Sequence, residues 1–529
     1  MIYIARLTII LMAALLVLSL APLMTSVQED SVPWPTEGWE TSTPEEQGMD
    51  AEQLAEMMDY LQAQHGFDIH SLTIIRNGYV VTDVYFYPFA EGSLHDLASV
   101  TKSFTSTLVG IAIDQGYIES VQQPVLELFP ERTAANVDAN KEAMTVEDLL
   151  TMSSGLACIP EDRELTLREM MGSLDWPQFT LDLPMATEPG TRWVYCSPNP
   201  HLLSAIIRET SGMSALDFAQ AHLFTPLGIS EVIWPTDRQG NNRGWGDLIL
   251  SPHDMAKLGY LYLHQGEWNG QQVLSADWVT AATSPVTGPL GSPGYGYLWW
   301  LNAYGSYYFA AGRDGQRIFV FPDQDIIVVT TGGGGGDQNG VLGTLLTSYI
   351  LPAAESETPL PSNPDGVAAL AAKVQEAAAP VHVQPEPVPP LPEIAQQVSG
   401  QTIIVDANRV GVQSVSLDFS EEAEAVLSLT FVGDSHIEWR IGLDNVWRFS
   451  PGIFDLLTAA KGSWISDNVF TAAKGSWISD NVFVFETEEI GYWGRNRYRL
   501  TFEDDRVTIQ LQDLNGRDPM FILHGRLEE

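Results

Sequence analysis

Apolar residues recur at helical spacing after Thr101. Phe104, Leu108, Ile111 and Ala112 fall on one side and Ser103, Ser106 and Asp114 on another, which predicts a helix reaching about Gly116. Its polar strip is narrow, so this helix is expected to be largely buried. Leu72 to Phe86 reads as a hairpin, LTII and YVVTDVYF around Arg76-Asn77-Gly78, because Asn-Gly supplies the positive φ angles that a tight turn needs. A second strand pair is RIFVF and IIVVTT around Pro322-Asp323-Gln324-Asp325, running into the glycines Gly332 to Gly336. Helical patterns mark Val146 to Met152, Leu202 to Thr210 and Met255 to His264, and VLGTLLTSYIL after the glycines. Strands near both ends of a domain with helices between them predict an α/β fold, an antiparallel sheet with helices packed on it.

The pattern changes at Pro352. Residues 352–397 are rich in Pro, Ala and Glu, with one short helical patch at Val367 to Ala378, and are expected to act as a semi-rigid linker. From 398 to 529 short strands dominate (TIIVDA, VSLDF, VLSLTFV, HIEWRI, YRLTFE, VTIQLQ), which predicts a small C-terminal all-β domain of barrel type. Inside it TAAKGSWISDNVF occurs at Thr458 to Phe470 and again, unchanged, at Thr471 to Phe483. Two copies are too few for a solenoid, and an odd-length insert would reverse the faces of a strand, so one copy is expected to loop out. At the other end Leu7 to Met24 is almost wholly apolar after Arg6. Residues 1–27 are therefore expected to be a signal peptide or a membrane anchor, which places the folded part outside the cytoplasm, secreted or anchored.

Composition narrows the partners. A chain of 529 residues with 45% hydrophobic content can bury sizeable cores. A formal charge of −42 repels nucleic acid and anionic membrane, so neither is expected as a partner beyond the possible N-terminal anchor. Cys158 and Cys196 make an even count in an exported chain, which leaves either one disulfide or two small buried thiols. The ten histidines include no His-Glu-x-x-His and the cysteines form no Cys-x-x-Cys, so no metal or other cofactor is expected.

Ser99-Val100-Thr101-Lys102 puts a hydroxyl and an amine one helical turn apart. A nucleophile and its base need that proximity. Ser99 read alone is equally an N-cap, since a Ser before an apolar run accepts hydrogen bonds from the first free backbone N–H groups. A surface position for Lys102 is opposed by its neighbours, because Val109 and Ile113 project from nearly the same side and desolvation favours a neutral amine.

ASVTKSF, MTVEDLLTMSSGL, YCSPNPHLL and LSPHDMAKLGYLYL, in this order, resemble the class C β-lactamase-like serine hydrolases. These include esterases, D-aminopeptidases, penicillin-binding carboxypeptidases and 6-aminohexanoate-dimer hydrolase. The resemblance covers about 40–351 and implies a β-lactamase/transpeptidase-like sandwich, with a mostly antiparallel sheet beside a helical subdomain. It also implies Ser99 as nucleophile, Lys102 as its partner and Tyr195 as the tyrosine of a Tyr-x-Asn element, a phenol that relays a proton beside an ammonium. Ser197 stands where that element has Asn; Asn199 is either a substitute or a turn residue beside Pro198 and Pro200. The third family element, Lys-Thr-Gly or His-Thr-Gly on an edge strand, has Ala310-Ala311-Gly312 as its counterpart, without the cation. Arg313 or Arg317 is a candidate to compensate, and the backbone N–H groups of Ser99 and Arg313 are the implied oxyanion donors.

Trp299 and Trp300 are read either as cleft walls or as sheet packing, and His95 and His201 are left out of catalysis. The resemblance implies a serine hydrolase acting on an ester or linear amide in a small or peptide-like substrate. A D,D-carboxypeptidase or weak β-lactamase, and a non-catalytic peptidoglycan- or peptide-binding protein, are the alternatives.

Overall fold

The computed structural model describes residues 33–64, 68–286, 294–302, 306–333, 338–379, 384–408, 410–433, 435–451, 470–489, 495–514 and 521–528. The N-terminal apolar segment and most of the first copy of the repeat lie outside them. Among the described residues no helix is long and apolar enough to cross a membrane.

The hairpin turn forms as its dipeptide dictates, with Asn77 at φ 51° and Gly78 at φ 80° joining Asp68–Arg76 to Tyr79–Tyr85. Arg317–Phe321 and Ile326–Gly333 pair the same way across a short helical turn that ends on Asp325 at φ 52°. These four strands are the centre of a seven-stranded sheet. Its order is Glu40–Thr41, Tyr79–Tyr85, Asp68–Arg76, Ile326–Gly333, Arg317–Phe321, Tyr308–Ala311 and Trp300–Leu301. Every pairing is antiparallel except that of Glu40–Thr41.

Alternate residues face opposite layers, as a pleated strand requires. Phe319, Phe321, Ile326 and Val328 pack with Leu54, Met57 and Met58 of the helix Ala51–Gln62 and with Leu345 and Ile350 near the end of the first domain. Ile318, Val320, Ile327 and Val329 pack on the other face against Met255, Leu258 and Leu261 of the helix Pro252–Leu263. Gly259 lets that helix close on the sheet, since a Cβ there would lie 2.9 Å from a methyl of Ile318. Beyond it the helix Thr101–Asp114 is buried from Thr101 to Ala112 among the helices of the second subdomain.

The stretch 352–379 differs from a spacer. Its helix, Pro364–Ala378, is capped by Asn363 and lays Leu370, Val374 and Ala377 on the apolar face of Ala51–Gln62, with Lys373 ion-paired to Asp59. Ala-rich composition reads as linker, but an apolar stripe at helical spacing docks wherever a matching surface lies in reach.

The C-terminal strands close into a nine-stranded barrel. Neighbours in order are His436–Gly442, Glu424–Phe431, Val412–Asp418, Thr402–Val405, Phe521–Leu527, Arg506–Asp513, Arg495–Glu503, Val482–Glu489 and Phe470–Ser479, and closure is at Gly442 with Lys474. Arg448–Pro451 adds to the last of these. Trp439, Phe483, Phe485, Leu500 and Phe502 fill the interior. The second copy of the repeat supplies the strand Phe470–Ser479 from Thr471 onward and the start of its hairpin partner.

Candidate active site

Ser99 sits on a single helical turn, Ala98–Val100, directly before the helix Thr101–Asp114. Ala98 has φ 46°, a left-handed angle rare outside glycine, and such strain is held in place only by its surroundings. Those surroundings are polar contacts: Leu97 N–H donates to the Leu248 carbonyl, Thr101 Oγ1 to the Ala98 carbonyl at 2.7 Å, and the Ala98 N–H to Asp96 Oδ1 at 2.9 Å.

Lys102 follows one turn later and is 2% exposed, while Ser99 is half-buried. Its Nζ donates to Ser99 Oγ at 2.8 Å and to the Trp245 carbonyl at 2.7 Å. The same Nζ lies 4.9 Å from the ring centre of Tyr195. Among the described residues the Tyr195 hydroxyl makes no hydrogen bond to Ser99 or Lys102. Its ring stacks on Trp300 at 6.2 Å and meets Trp193 at the same distance. The two neighbouring tryptophans thus divide: Trp299 is fully buried against Tyr262 and Tyr308, and half-buried Trp300 walls the site beside Tyr195.

Cys196 is bonded to Cys158, with Cα atoms 5.7 Å apart, which staples the Tyr195 segment to the loop before the helix Glu161–Gly172. Ser197 and Asn199 lie at the start of the helix Pro198–Ser211, both buried. Ser154 Oγ donates to Asn199 Oδ1 at 3.2 Å. Among the described residues Asn199 Nδ2 and Ser197 Oγ have no partner. Asn199 is therefore not an exposed turn residue beside its two prolines.

Ala310 is fully buried in the sheet, and beyond Phe309 the outer edge of Tyr308–Ala311 has no strand partner among the described residues. Gly312 brings this strand against the Ser99 turn, where a Cβ would lie 2.6 Å from the Leu97 carbonyl oxygen. The two candidate arginines differ in setting. Arg313 Nη2 lies 3.5 Å from Asp96 Oδ2. Arg317 is buried, its guanidinium spent on the carbonyls of Gly312 and Gln316 and on Asn339, and burial lowers its pKa to about 10.

Two strongly shifted residues stand just before Ser99. Burial, with the nearby charge of Asp247, pushes the Asp96 carboxyl up to about 7 against the pull of Arg313 and Arg243. Burial and the neighbouring His70 press His95 down to about 3; its ring bonds His70 Nδ1 and the Asp96 carbonyl, both at 2.8 Å. His201 is locked to Asp237 at 3.1 Å, both buried. Asp96, Trp193 and the Trp245 carbonyl carry no readable signal in the sequence, the last because any residue type can offer a carbonyl. Among the described residues no group of three or more His, Cys, Asp or Glu side chains could hold a metal ion.

The family model described as beta-lactamase matches residues 54–338, more than half of the chain. A 6-aminohexanoate-dimer hydrolase of Paenarthrobacter ureafaciens is 24% identical over 277 residues, 48% of this chain and 70% of that one. The esterase EstB of Burkholderia gladioli is 26% identical over 155 residues, 27% of this chain and 39% of that one. Among solved structures, a Bacillus anthracis protein provisionally described as a 6-aminohexanoate-dimer hydrolase aligns with TM-score 0.52 at 18% identity, covering 63% of this chain and 91% of that one. It shares the fold.

Proposed function

Because the chain belongs to the beta-lactamase family, whose matched relatives include hydrolases, esterases and penicillin-binding proteins, we propose that it is a serine hydrolase cleaving an ester or linear amide through an acyl-enzyme on Ser99. The observation that carries this is the buried Lys102 Nζ within 2.8 Å of Ser99 Oγ. Ser99 Oγ attacks the carbonyl carbon as its proton passes to the Lys102–Tyr195 pair, and the carbonyl oxygen becomes an oxyanion held by the backbone N–H groups of Ser99 and Arg313. The same pair returns the proton to the leaving alcohol or amine as the scissile bond breaks. Water, deprotonated in turn, attacks the ester of Ser99 and frees the acid.

Linear neutral substrates are favoured over β-lactams because Ala310 replaces a cation and Arg313 is turned to Asp96, which leaves a substrate carboxylate without its counter-ion. The Cys158–Cys196 bond supports a place outside the cytoplasm, where disulfides persist. A fluorophosphonate probe is expected to label the wild type and not Ser99→Ala. Absence of Ser99-dependent labelling together with no turnover of p-nitrophenyl esters sinks the hydrolase reading in favour of a binding protein. A panel of short-chain esters, D-amino-acid amides and β-lactams then decides the substrate class; faster turnover of β-lactams than of the esters overturns the linear-substrate part.

A further inference from the structure

Asp96 is fully buried three residues before the nucleophile, in the two-residue pairing of His95–Asp96 with Ile249–Leu250. A buried carboxylate persists only with partners, and this one has two of different kinds. Oδ1 accepts the Ala98 N–H at 2.9 Å, and Oδ2 lies 3.5 Å from Arg313 Nη2. The first contact fixes the strained peptide whose next N–H belongs to Ser99. The second anchors the residue whose N–H is the other oxyanion donor. At Gly312 the two segments approach too closely for a side chain, since a Cβ there would lie 2.6 Å from the Leu97 carbonyl oxygen.

We propose that Asp96 is the positioning residue that ties the Ser99 turn to the Gly312–Arg313 segment and thereby sets the spacing of the two oxyanion donors. This rests on the acyl-enzyme reading above. Its carboxylate is faced by Arg313, Asp247 and Arg243, and by His95 one residue earlier, which burial against His70 keeps neutral. Displacing a donor by about 1 Å costs on the order of 100-fold in rate without weakening ground-state binding equally.

The test uses the full chain and a neutral p-nitrophenyl ester, with kcat and KM measured for Asp96→Ala, Asp96→Asn, Arg313→Gln and the Asn/Gln double variant, each checked for native circular dichroism. Asp96→Ala is expected to lose about 100-fold in kcat with KM within about threefold. Asp96→Asn, which keeps an acceptor for Ala98, is expected to recover to within about tenfold of wild type. Losses in the Asn/Gln double variant are expected to be no greater than in the worse single variant, because both act through one contact. As pH falls below about 7 the wild-type carboxyl takes up a proton, so the wild-type to Asn ratio of kcat is expected to approach one near pH 5.5.

A folded Asp96→Ala variant within threefold of wild type, additive losses, a loss confined to KM, or a ratio constant with pH each overturns the inference. If Asp96→Ala does not fold, the Asn and double variants decide. A wild type without Ser99-dependent turnover overturns the hydrolase reading and this inference with it, whereas an active wild type with an equally active Asp96→Ala overturns this inference alone.

Discussion

At the residue scale the site concentrates its chemistry in one amine. Lys102 Nζ contacts Ser99 Oγ and the Trp245 carbonyl, with the aromatic ring of Tyr195 centred 4.9 Å away. Lys102→Met keeps the volume and removes the proposed base, so kcat is expected to fall by about 100- to 10,000-fold while the melting temperature stays near that of wild type. Kinetics beside a thermal melt check both halves. His95 gives a pH prediction of definite sign. Its folded pKa, about 3, lies below the usual value of 6.5, so between those limits the unfolded chain binds a proton that the folded chain refuses. His95 is thus expected to cost stability as pH falls from about 6.5 towards 3, and His95→Gln to flatten that slope in urea titrations. The raised carboxyl of Asp96 works the other way. Its folded form holds a proton from its usual pKa of 3.8 up to about 7, so its contribution falls as pH rises through that window.

At the element scale two attachments hold the site's frame. The Cys158–Cys196 bond closes a separation of 38 residues beside Tyr195. In the chain-entropy account a loop of that length is worth about 4 kcal/mol at most, so dithiothreitol is expected to lower the melting temperature and, by freeing the Tyr195 segment, kcat. An unchanged kcat in reduced, folded protein counts against that link. The helix Pro364–Ala378 is the second attachment. Leu370→Ala removes its buried anchor and is expected to cost about 2–3 kcal/mol, the low end for Leu because half-buried Val374 and Ala377 can settle into the gap. Chemical denaturation measures it. The helical patch was legible in the composition of this stretch, but where it docks was not: Pro and Ala report local backbone preference, whereas docking depends on the surface of Ala51–Gln62, some three hundred residues away.

At the scale of the whole molecule charge and domain contact matter most. With 68 acidic side chains against 26 basic ones, self-repulsion opposes the compact state, and raising salt from about 0.02 M to about 0.5 M is expected to raise the melting temperature by screening it. The barrel meets the hydrolase domain where Trp447 packs on Tyr85 and Phe89, and Phe89 in turn stacks on His70. Much of this architecture was legible in the sequence. Asn77-Gly78 specified a hairpin, alternating runs specified sheet and barrel strands, and Ser99-x-x-Lys102 specified a shared helical face, because each depends on neighbours within a few residues. What the tertiary structure alone decided is which groups meet across long separations: Trp245 O with Lys102, Trp300 with Tyr195, and Arg313 with Asp96. Such contacts follow from how elements pack, and no local pattern encodes which backbone carbonyl or carboxylate will arrive at a given atom.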